Sequence, residues 1–230
     1  MFEVLKQSYR ILRTHGADTL PLIELCGRIA YRSDDKITPC SAAPFAERII
    51  RLGHESVIEH SSLTVEFLCS RAITHELVRH RLASFTQESQ RYCDYTQFPA
   101  QFILPYFLDD SVLGIWDAER LASNEYVSTP ATLWLFAMSD ARLNYINLRS
   151  RGLPPQAARE VLPNSCAARI AVTANLREWR HIFRLRTAGP AHPSMRSLMT
   201  PLLVELQSLY PSLFSDIIPF KEECNDNASS

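Results

Sequence analysis

The chain has 230 residues, of which 46% are hydrophobic and 21% are charged, a composition typical of a soluble globular enzyme with a sizeable core. Its 24 Lys and Arg residues and 25 Asp and Glu residues leave a formal net charge of −1, which excludes a global positive field for nucleic acid or an anionic membrane surface. Any binding of anions must therefore depend on local clusters of arginine.

The six cysteines are scattered, without a Cys-x-x-Cys pair or a His spacing typical of zinc, so we expect no metal site. The chain shows no basic-then-apolar leader, and no apolar run approaches the roughly 18 residues of a membrane span. These features predict a cytoplasmic protein with reduced thiols and no membrane association. The six glycines form no Gly-x-Gly-x-x-Gly or P-loop motif, so phosphate groups would be held by side chains and helix N-termini.

The N-terminal part of the chain alternates between strand and helix patterns. Ser41 is a candidate N-cap, and Gly53 is a stop signal at the end of the same helix. Apolar and polar residues then alternate in a way that is typical of a half-buried strand, which leads directly into a helix. The predicted elements are strand 2–5, helix 18–29, helix 42–52, strand 62–69 and helix 71–82.

The C-terminal part is predicted to be mostly helical. It follows a stretch over residues 94–128 that we interpret as loop and insertion, because its aromatic residues follow no clean period. Asn175 is a candidate N-cap with an acidic third position, Glu178, and the polar residues 221–230 are predicted to form a disordered tail. The predicted elements are helix 131–150 with an apolar core face, helix 155–162, strand 165–174, helix 176–186 and helix 194–209.

The densest group of cationic side chains lies in residues 75–92. Arg79, His80 and Arg81 are consecutive, and on a helix they would fan across most of a turn, so they favour two ligands or two parts of one. Arg91 adds a guanidinium suited to bidentate phosphate binding. A solvated basic helix end is the alternative interpretation. Apolar neighbours in the same segment count against it, because an unpaired guanidinium beside buried surface costs several kcal/mol.

Arg79-His80-Arg81, followed after seven residues by Ser89, resembles the signature of the flavin-dependent thymidylate synthases. The resemblance extends over roughly residues 20 to 210. Other stretches that resemble this family are Gly53 to His60, Ala158-Arg159, Asn175 to Arg177, Phe183 to Arg186 and Ala191 to Pro193. The resemblance implies one compact α/β (α+β) catalytic domain over residues 1–220, followed by the tail 221–230. It further implies a central, mostly antiparallel sheet flanked by helices, and a homotetramer with active sites at subunit interfaces.

The implied reaction is the reductive methylation of dUMP to dTMP. Methylenetetrahydrofolate would be the carbon donor, and FAD reduced by NADPH would be the hydride source. The Pro-Cys-His element of the classical thymidylate synthases does not occur in this sequence, so we expect no cysteine nucleophile. The expected partners are therefore small molecules, dUMP and a folate, and not nucleic acid.

The resemblance also implies roles for individual residues. Arg186 would be catalytic, stabilising the charge that develops at the pyrimidine edge. The implied dUMP site is Glu76, Arg79, Gln87, Ser89, Gln90, Arg91, Arg159 and Arg186. The implied FAD contacts are Ser56, Arg79, His80, Arg81, Gln87, Asn175, Arg177 and His181. This sequence departs from some family members at Glu76, where they carry an amide, and at Gln87, where they carry Glu.

Two alternatives remain at this point. A non-catalytic nucleotide- or nucleic-acid-binding module would use the 79–91 cluster together with Arg177, Arg180, Arg184 and Arg186, with Phe85 and Tyr92 as stacking partners. The balanced charge and the lack of a long basic stripe count against it. A flavoprotein that reduces another nucleotide would share most site residues and differ only at the pyrimidine pocket. Flavin absorption of the purified protein would separate either enzyme from the module.

Overall fold

The computed structural model describes residues 1–14, 16–123 and 128–221. Its helices are α1 (Thr19–Ile29), α2 (Ala42–Arg51), α3 (Arg71–Leu77), α4 (Ala118–Ala122), α5 (Pro130–Ser150), α6 (Pro155–Ala158), α7 (Leu176–Arg186), α8 (Pro193–Leu209) and α9 (Pro211–Phe214). Its strands are β1 (Phe2–Leu5), β2 (Ser8–Arg13), β3 (Ser62–Ser70), β4 (Ala83–Gln87), β5 (Ala100–Ile103), β6 (Gly114–Trp116) and β7 (Ala167–Asn175). The mixed α/β class predicted from the sequence is confirmed.

The strands form two sheets, with the strand orders β5-β1-β6 and β2-β3-β7-β4. In the first sheet, β1 pairs in parallel with β5 and antiparallel with β6, so that Phe2 lies opposite both Ala100 and Trp116. The contacts within the chain define two compact units. The first unit comprises residues 1–11 and 65–172, and the second comprises residues 12–64 and the chain from 173 onward.

The core of the first unit forms where β1 and β5 meet α5. Phe2 and Phe102 pack edge to face with ring centroids 5.5 Å apart, and Trp134 packs against Phe102 at 6.5 Å. Helix α5 begins at a capping box, in which the Thr129 hydroxyl accepts from the Thr132 N–H and the Thr132 hydroxyl accepts from the Thr129 N–H. The predicted helix 131–150 is thereby confirmed within one residue of its observed start.

Most of the described residues in 94–128 lie outside helices and strands, as predicted, but the prediction missed three short elements. The described part of this stretch contains β5, β6 and α4, and Asp117 caps α4 by accepting from the Arg120 N–H at 2.9 Å. The two strands are only four and three residues long, and each pairs with β1 at the far N-terminal end of the chain. Because the stability of these strands depends on a partner that is distant in sequence, the local pattern of apolar and polar residues does little to predict them.

The second unit is helical around a buried aromatic group. Trp179 and Phe183 on α7 stack with ring centroids 5.6 Å apart, and Phe214 of α9 meets Phe183 edge to face at 5.9 Å. Helix α1 carries Gly27 where it faces α2, and a Cβ at this position would lie 2.4 Å from the Phe45 ring. The close approach of these two helices therefore depends on glycine. The predicted helices 18–29, 42–52, 176–186 and 194–209 are confirmed with small shifts at their ends.

A buried charge network lies within the second unit. The Arg180 side chain is 0% exposed, and its guanidinium donates to both carboxylate oxygens of Asp216, each at 2.7 Å. It also donates to Glu55 at 3.1 Å and to the Leu213 carbonyl. Glu55 begins the short 3₁₀ helix Glu55–His60. A buried guanidinium left without any partner costs several kcal/mol, so these contacts fix α7 against both neighbouring segments.

The remaining outcomes concern three elements that the sequence did not predict, the C-terminal tail and membrane spans. Strands β2 and β4 and helix α9 were not predicted. The tail prediction lies almost wholly outside the described residues, which end at 221, and the single catalytic domain over 1–220 stays a prediction. No helix of the described residues combines the length and the apolar character needed to cross a membrane.

We predict that the ion pair between Asp94 and Arg149 makes stability depend on pH. Two hydrogen bonds from Arg149, at 2.6 and 3.2 Å, hold the pKa of Asp94 well below its ordinary value. Such a group stabilises the fold above its unfolded pKa of about 3.9, and the contribution is lost as the pH falls through the lower folded value. Asp94→Asn should therefore lower the urea midpoint at pH 7, and the difference from wild type should shrink at about pH 3.

Asp140→Asn is the matched control, because Asp140 is exposed on α5. Its urea midpoint should follow wild type at both pH values. A deficit of Asp94→Asn that is equally large at both pH values would contradict the role of this ion pair.

Candidate functional site

The Arg-His-Arg run lies in a turn and not on a helix. Ser70 caps the start of helix α3 by accepting from the Ile73 N–H, and the helix ends at Leu77. The backbone N–H groups of Arg79 and His80 then donate to the carbonyls of Glu76 and Leu77 at 3.2 and 3.1 Å. The predicted helix 71–82 is therefore wrong at its C-terminal end, because the chain must reverse before β4 begins at residue 83.

The turn separates its three cationic residues by exposure. Arg79 and Arg81 are exposed, whereas His80 is buried with 5% of its surface accessible. The two arginines are therefore available to ligands in solvent, while His80 belongs to the packed interior.

The end of β4 and the segment after it hold polar side chains of the predicted pyrimidine site. The Gln87 Nε2 donates to the Thr74 hydroxyl at 2.9 Å, and that hydroxyl donates to the Arg71 carbonyl at 2.9 Å. The next residue, Glu88, donates its N–H to the Arg169 carbonyl of β7 at 2.9 Å. Gln87 is thus oriented by α3, and the chain that follows it is tied to the sheet.

Ser89 and Arg91 form a local turn after this segment. The Ser89 hydroxyl accepts from the Arg91 N–H at 3.3 Å, and the Arg91 guanidinium lies over the Tyr92 ring at 5.4 Å. Gln90 between them is half-buried. The contact with the Tyr92 ring holds the Arg91 guanidinium at the surface without neutralising its positive charge.

Three guanidinium groups in this region have no carboxylate partner among the residues that the structure describes. Within the described part of the chain, the side chains of Arg79, Arg81 and Arg91 form no hydrogen bond and no ion pair. Arg159 is different, since its Nε lies 3.6 Å from the exposed Glu160 carboxylate in the 3₁₀ turn Arg159–Val161. Positive charge that is exposed and uncompensated is a ready binding site for phosphate or carboxylate groups.

The second unit positions another set of predicted ligands on α7. The Asn175 side chain accepts from the Glu178 N–H at 2.8 Å, which confirms the predicted N-cap. Arg177 donates to Glu59 at 2.6 Å, and this hydrogen bond raises the pKa of Arg177. Burial raises the pKa of Glu178, and the charge of His181 one turn later opposes that shift. These side chains hold the helix start and the 3₁₀ helix together.

The remaining predicted residues of this unit differ in exposure. Ser56 in the 3₁₀ helix and His181 on α7 are exposed, and Arg186 at the last position of α7 is half-buried. Arg184, two residues before the end of α7, is paired with Glu55 at 3.0 Å. Burial opposes ionisation of Glu55, but hydrogen bonds from Arg184 and Arg180 outweigh it, and its pKa lies below the ordinary value.

The predicted site residues fall into two sets by unit. The first unit contains Glu76, Arg79, His80, Arg81, Gln87, Ser89, Gln90, Arg91 and Arg159. The second unit contains Ser56, Asn175, Arg177, His181 and Arg186. Thr74, which orients Gln87, is a positioning residue that the sequence did not reveal, because a single threonine inside a helix carries no distinctive pattern.

Comparison with known proteins supports the family that the Arg-His-Arg motif suggested. Residues 11–212 match the family described as "Thymidylate synthase complementing protein". This chain belongs to that family. A "Flavin-dependent thymidylate synthase" of Mycobacterium sp. (strain JLS) is 38% identical over 202 residues, which cover 85% of this chain and 78% of the relative. A protein of the same name from Corynebacterium efficiens is 34% identical over 211 residues, covering 88% and 80%.

Solved structures share the fold of this family member. A UMP/dUMP methylase, PolB of Streptomyces cacaoi, bound with 5-Br dUMP, gives a TM-score of 0.72 at 22% identity, covering 93% of this chain and 96% of that chain. Thymidylate Synthase X of Helicobacter pylori, with FAD and dUMP, gives a TM-score of 0.70 at 20% identity, covering 92% and 98%. The family membership expected from the Arg-His-Arg motif is confirmed.

We predict that Asn175 acts first as a helix cap. Asn175→Ala removes the acceptor for the Glu178 N–H and should destabilise the protein by about 1 kcal/mol. Asn175→Asp keeps an acceptor oxygen at the same place and should retain most of the stability. Urea unfolding of both variants provides the measurement, and equal midpoints for the Ala variant and wild type would show that the cap contributes nothing.

Proposed function

We propose that this chain is a flavin-dependent thymidylate synthase that methylates dUMP to dTMP. The observation that carries the proposal is the set of exposed guanidinium groups of Arg79, Arg81 and Arg91, which have no carboxylate partner among the described residues. They lie in the motif that suggested the family, and relatives that are 34–38% identical bear this name. Methylenetetrahydrofolate is the proposed carbon donor, and NADPH is the proposed reductant.

The dUMP site would use the first unit for recognition. Arg91 and Arg159 would bind the phosphate, because a guanidinium fork matches two phosphate oxygens. Arg79 and Gln87 would contact the nucleotide, and Gln87 enters this role already oriented by Thr74. The remaining proposed contacts are Glu76, Ser89, Gln90 and Arg186.

The donor set also fits FAD, whose pyrophosphate requires hydrogen-bond donors and positive charge. Arg81 offers an uncompensated guanidinium, and the exposed Ser56 hydroxyl can donate to a phosphate or a ribose oxygen. Arg177 would share its charge between the ligand and Glu59, which it already contacts at 2.6 Å. When bound, FAD supplies the hydride. The other proposed contacts are Arg79, His80, Gln87, Asn175 and His181.

Arg186 would be the catalytic residue. A preorganised guanidinium at the pyrimidine edge would stabilise the negative charge that N3 and its flanking carbonyls carry when C5 is made nucleophilic. The half-buried position of Arg186 strengthens that electrostatic effect, because less water screens the charge.

Cysteine chemistry is not required by this proposal. Burial raises the pKa of the Cys69 and Cys166 thiols to about 12, so neither thiol is poised as a nucleophile at neutral pH. The alternative of a nucleic-acid-binding module loses support for a related reason. Arg180 is fully buried and Arg184 is paired with Glu55, so the basic face of α7 has fewer exposed charges than its sequence indicates.

The proposal extends to assembly and location. By resemblance to the family, we propose one catalytic domain over residues 1–220, a homotetramer with shared active sites, and a cytoplasmic location. The expected substrates are small molecules and not nucleic acid.

The decisive experiment is a turnover assay with dUMP, methylenetetrahydrofolate and NADPH, together with Arg186→Ala. Wild type should form dTMP. Arg186→Ala should keep flavin colour and flavin reduction by NADPH, while methylation falls about a hundred- to a thousandfold, since it removes one charge-stabilising group. Arg151→Ala, which removes an exposed arginine at the end of α5, is the control. Absence of dTMP with wild type would overturn the proposed function, and full methylation by Arg186→Ala would overturn the role of that residue.

Shared active sites make a separate prediction. Arg81→Ala and Arg186→Ala should each be inactive, but they should regain activity when mixed under conditions that allow subunits to exchange. The reason is that a mixed oligomer contains some sites with both residues intact. Arg81 is preferred to His80 for this test because it is exposed, so its removal does not disturb the packed interior. Activity that stays at the level of the separate variants would show that each site is built from one chain.

A further inference from the structure

The loop that follows Arg186 is held at several points. Thr187 is buried, and both its N–H and its hydroxyl donate to the Phe183 carbonyl, at 2.9 and 2.8 Å. The Thr187 carbonyl accepts the N–H of Phe220 at 2.9 Å. A residue from the last described segment of the chain is therefore bonded directly to the position after Arg186.

Arg196 on α8 holds the same loop from its other side. Its Nη1 donates to the Gly189 carbonyl at 2.8 Å and to the Ala191 carbonyl at 2.5 Å. Its guanidinium also lies over the Phe220 ring, 5.3 Å from the ring centroid. Arg196 thus joins the loop backbone to the Phe220 side chain through hydrogen bonds and a cation–π contact.

Gly189 completes this arrangement because, lacking a side chain, it allows the Phe220 ring to approach the loop backbone. A Cβ on Gly189 would lie 3.1 Å from the nearest atom of the Phe220 ring, which is tighter than ordinary van der Waals contact. The φ angle of Gly189 is not positive, so alanine meets no backbone strain there. We call Gly189, Arg196 and Phe220 the loop clamp.

We infer that the loop clamp positions Arg186 for methylation, an inference that rests on the proposed function. Arg186 is the last residue of α7, so the loop that the clamp holds begins directly after it. Phe220 and Arg196 are positioning residues, since they act through the loop. A displacement of about 1 Å in a catalytic group can cost on the order of a hundredfold in rate, whereas flavin binding and reduction would not depend on Arg186.

The test compares Phe220→Ala with Ile218→Ala. Ile218 lies on the same segment and is 82% exposed, so its removal should change nothing. Phe220→Ala should bind FAD and allow its reduction by NADPH at the wild-type rate, but single-turnover methylation should fall about ten- to a hundredfold. Phe220→Tyr, which keeps the ring, should restore the rate. If Phe220→Ala does not accumulate as folded protein, Phe220→Leu takes its place.

A double variant tests the contact itself. Gly189→Ala should reduce methylation in wild type, because its Cβ displaces the ring, but should cause no further loss in Phe220→Ala, where the ring is absent. Wild-type dTMP formation reports separately on the proposed function, and thermal unfolding of the four proteins reports on the contact even without turnover. The inference is overturned by wild-type methylation in Phe220→Ala, by an equal loss of flavin reduction, or by additive effects of the two substitutions.

Discussion

A buried guanidinium cannot remain unpaired, and Arg180 imposes this constraint on the second unit. Its partners Asp216 and Glu55 lie far from it in sequence, yet they supply the carboxylates that compensate its buried charge. Ser56 follows Glu55 directly, and the other proposed flavin contacts of this unit stand at or beyond the start of the helix that carries Arg180. The geometry of one half of the proposed site therefore depends on a residue that binds no ligand.

Arginine has three physical roles in this chain, and residue type alone does not distinguish them. Arg180 is buried and paired, Arg177 is exposed and paired, and Arg79 is exposed with no carboxylate partner in the described part of the chain. Only the last kind offers its full charge to a ligand. A ligand of Arg177 must instead compete with Glu59 or share the guanidinium with it, which weakens the net gain from that contact.

The sequence predicted those parts of the structure whose signal is local. The long helix α5 and the cap at Asn175 follow from period and side-chain chemistry, and both are confirmed. Strands β5 and β6 were missed because their partner β1 is distant in sequence. The motif identified the family. The predicted helix 71–82 wrongly included the Arg-His-Arg residues, because the observed helix ends at Leu77. No pattern in the sequence indicated that Thr74 orients Gln87.

The division of the chain has a consequence for the order of folding during synthesis. Each unit joins an early stretch to a late one, since β1 must wait for β5 and β6, and α1 and α2 must wait for the chain beyond residue 173. The ribosome must therefore pass residue 172 before the first unit can close. Such high contact order slows folding and leaves apolar surface exposed on the nascent chain. The order of the elements along the chain therefore delays burial of this apolar surface until most of the protein has been synthesised.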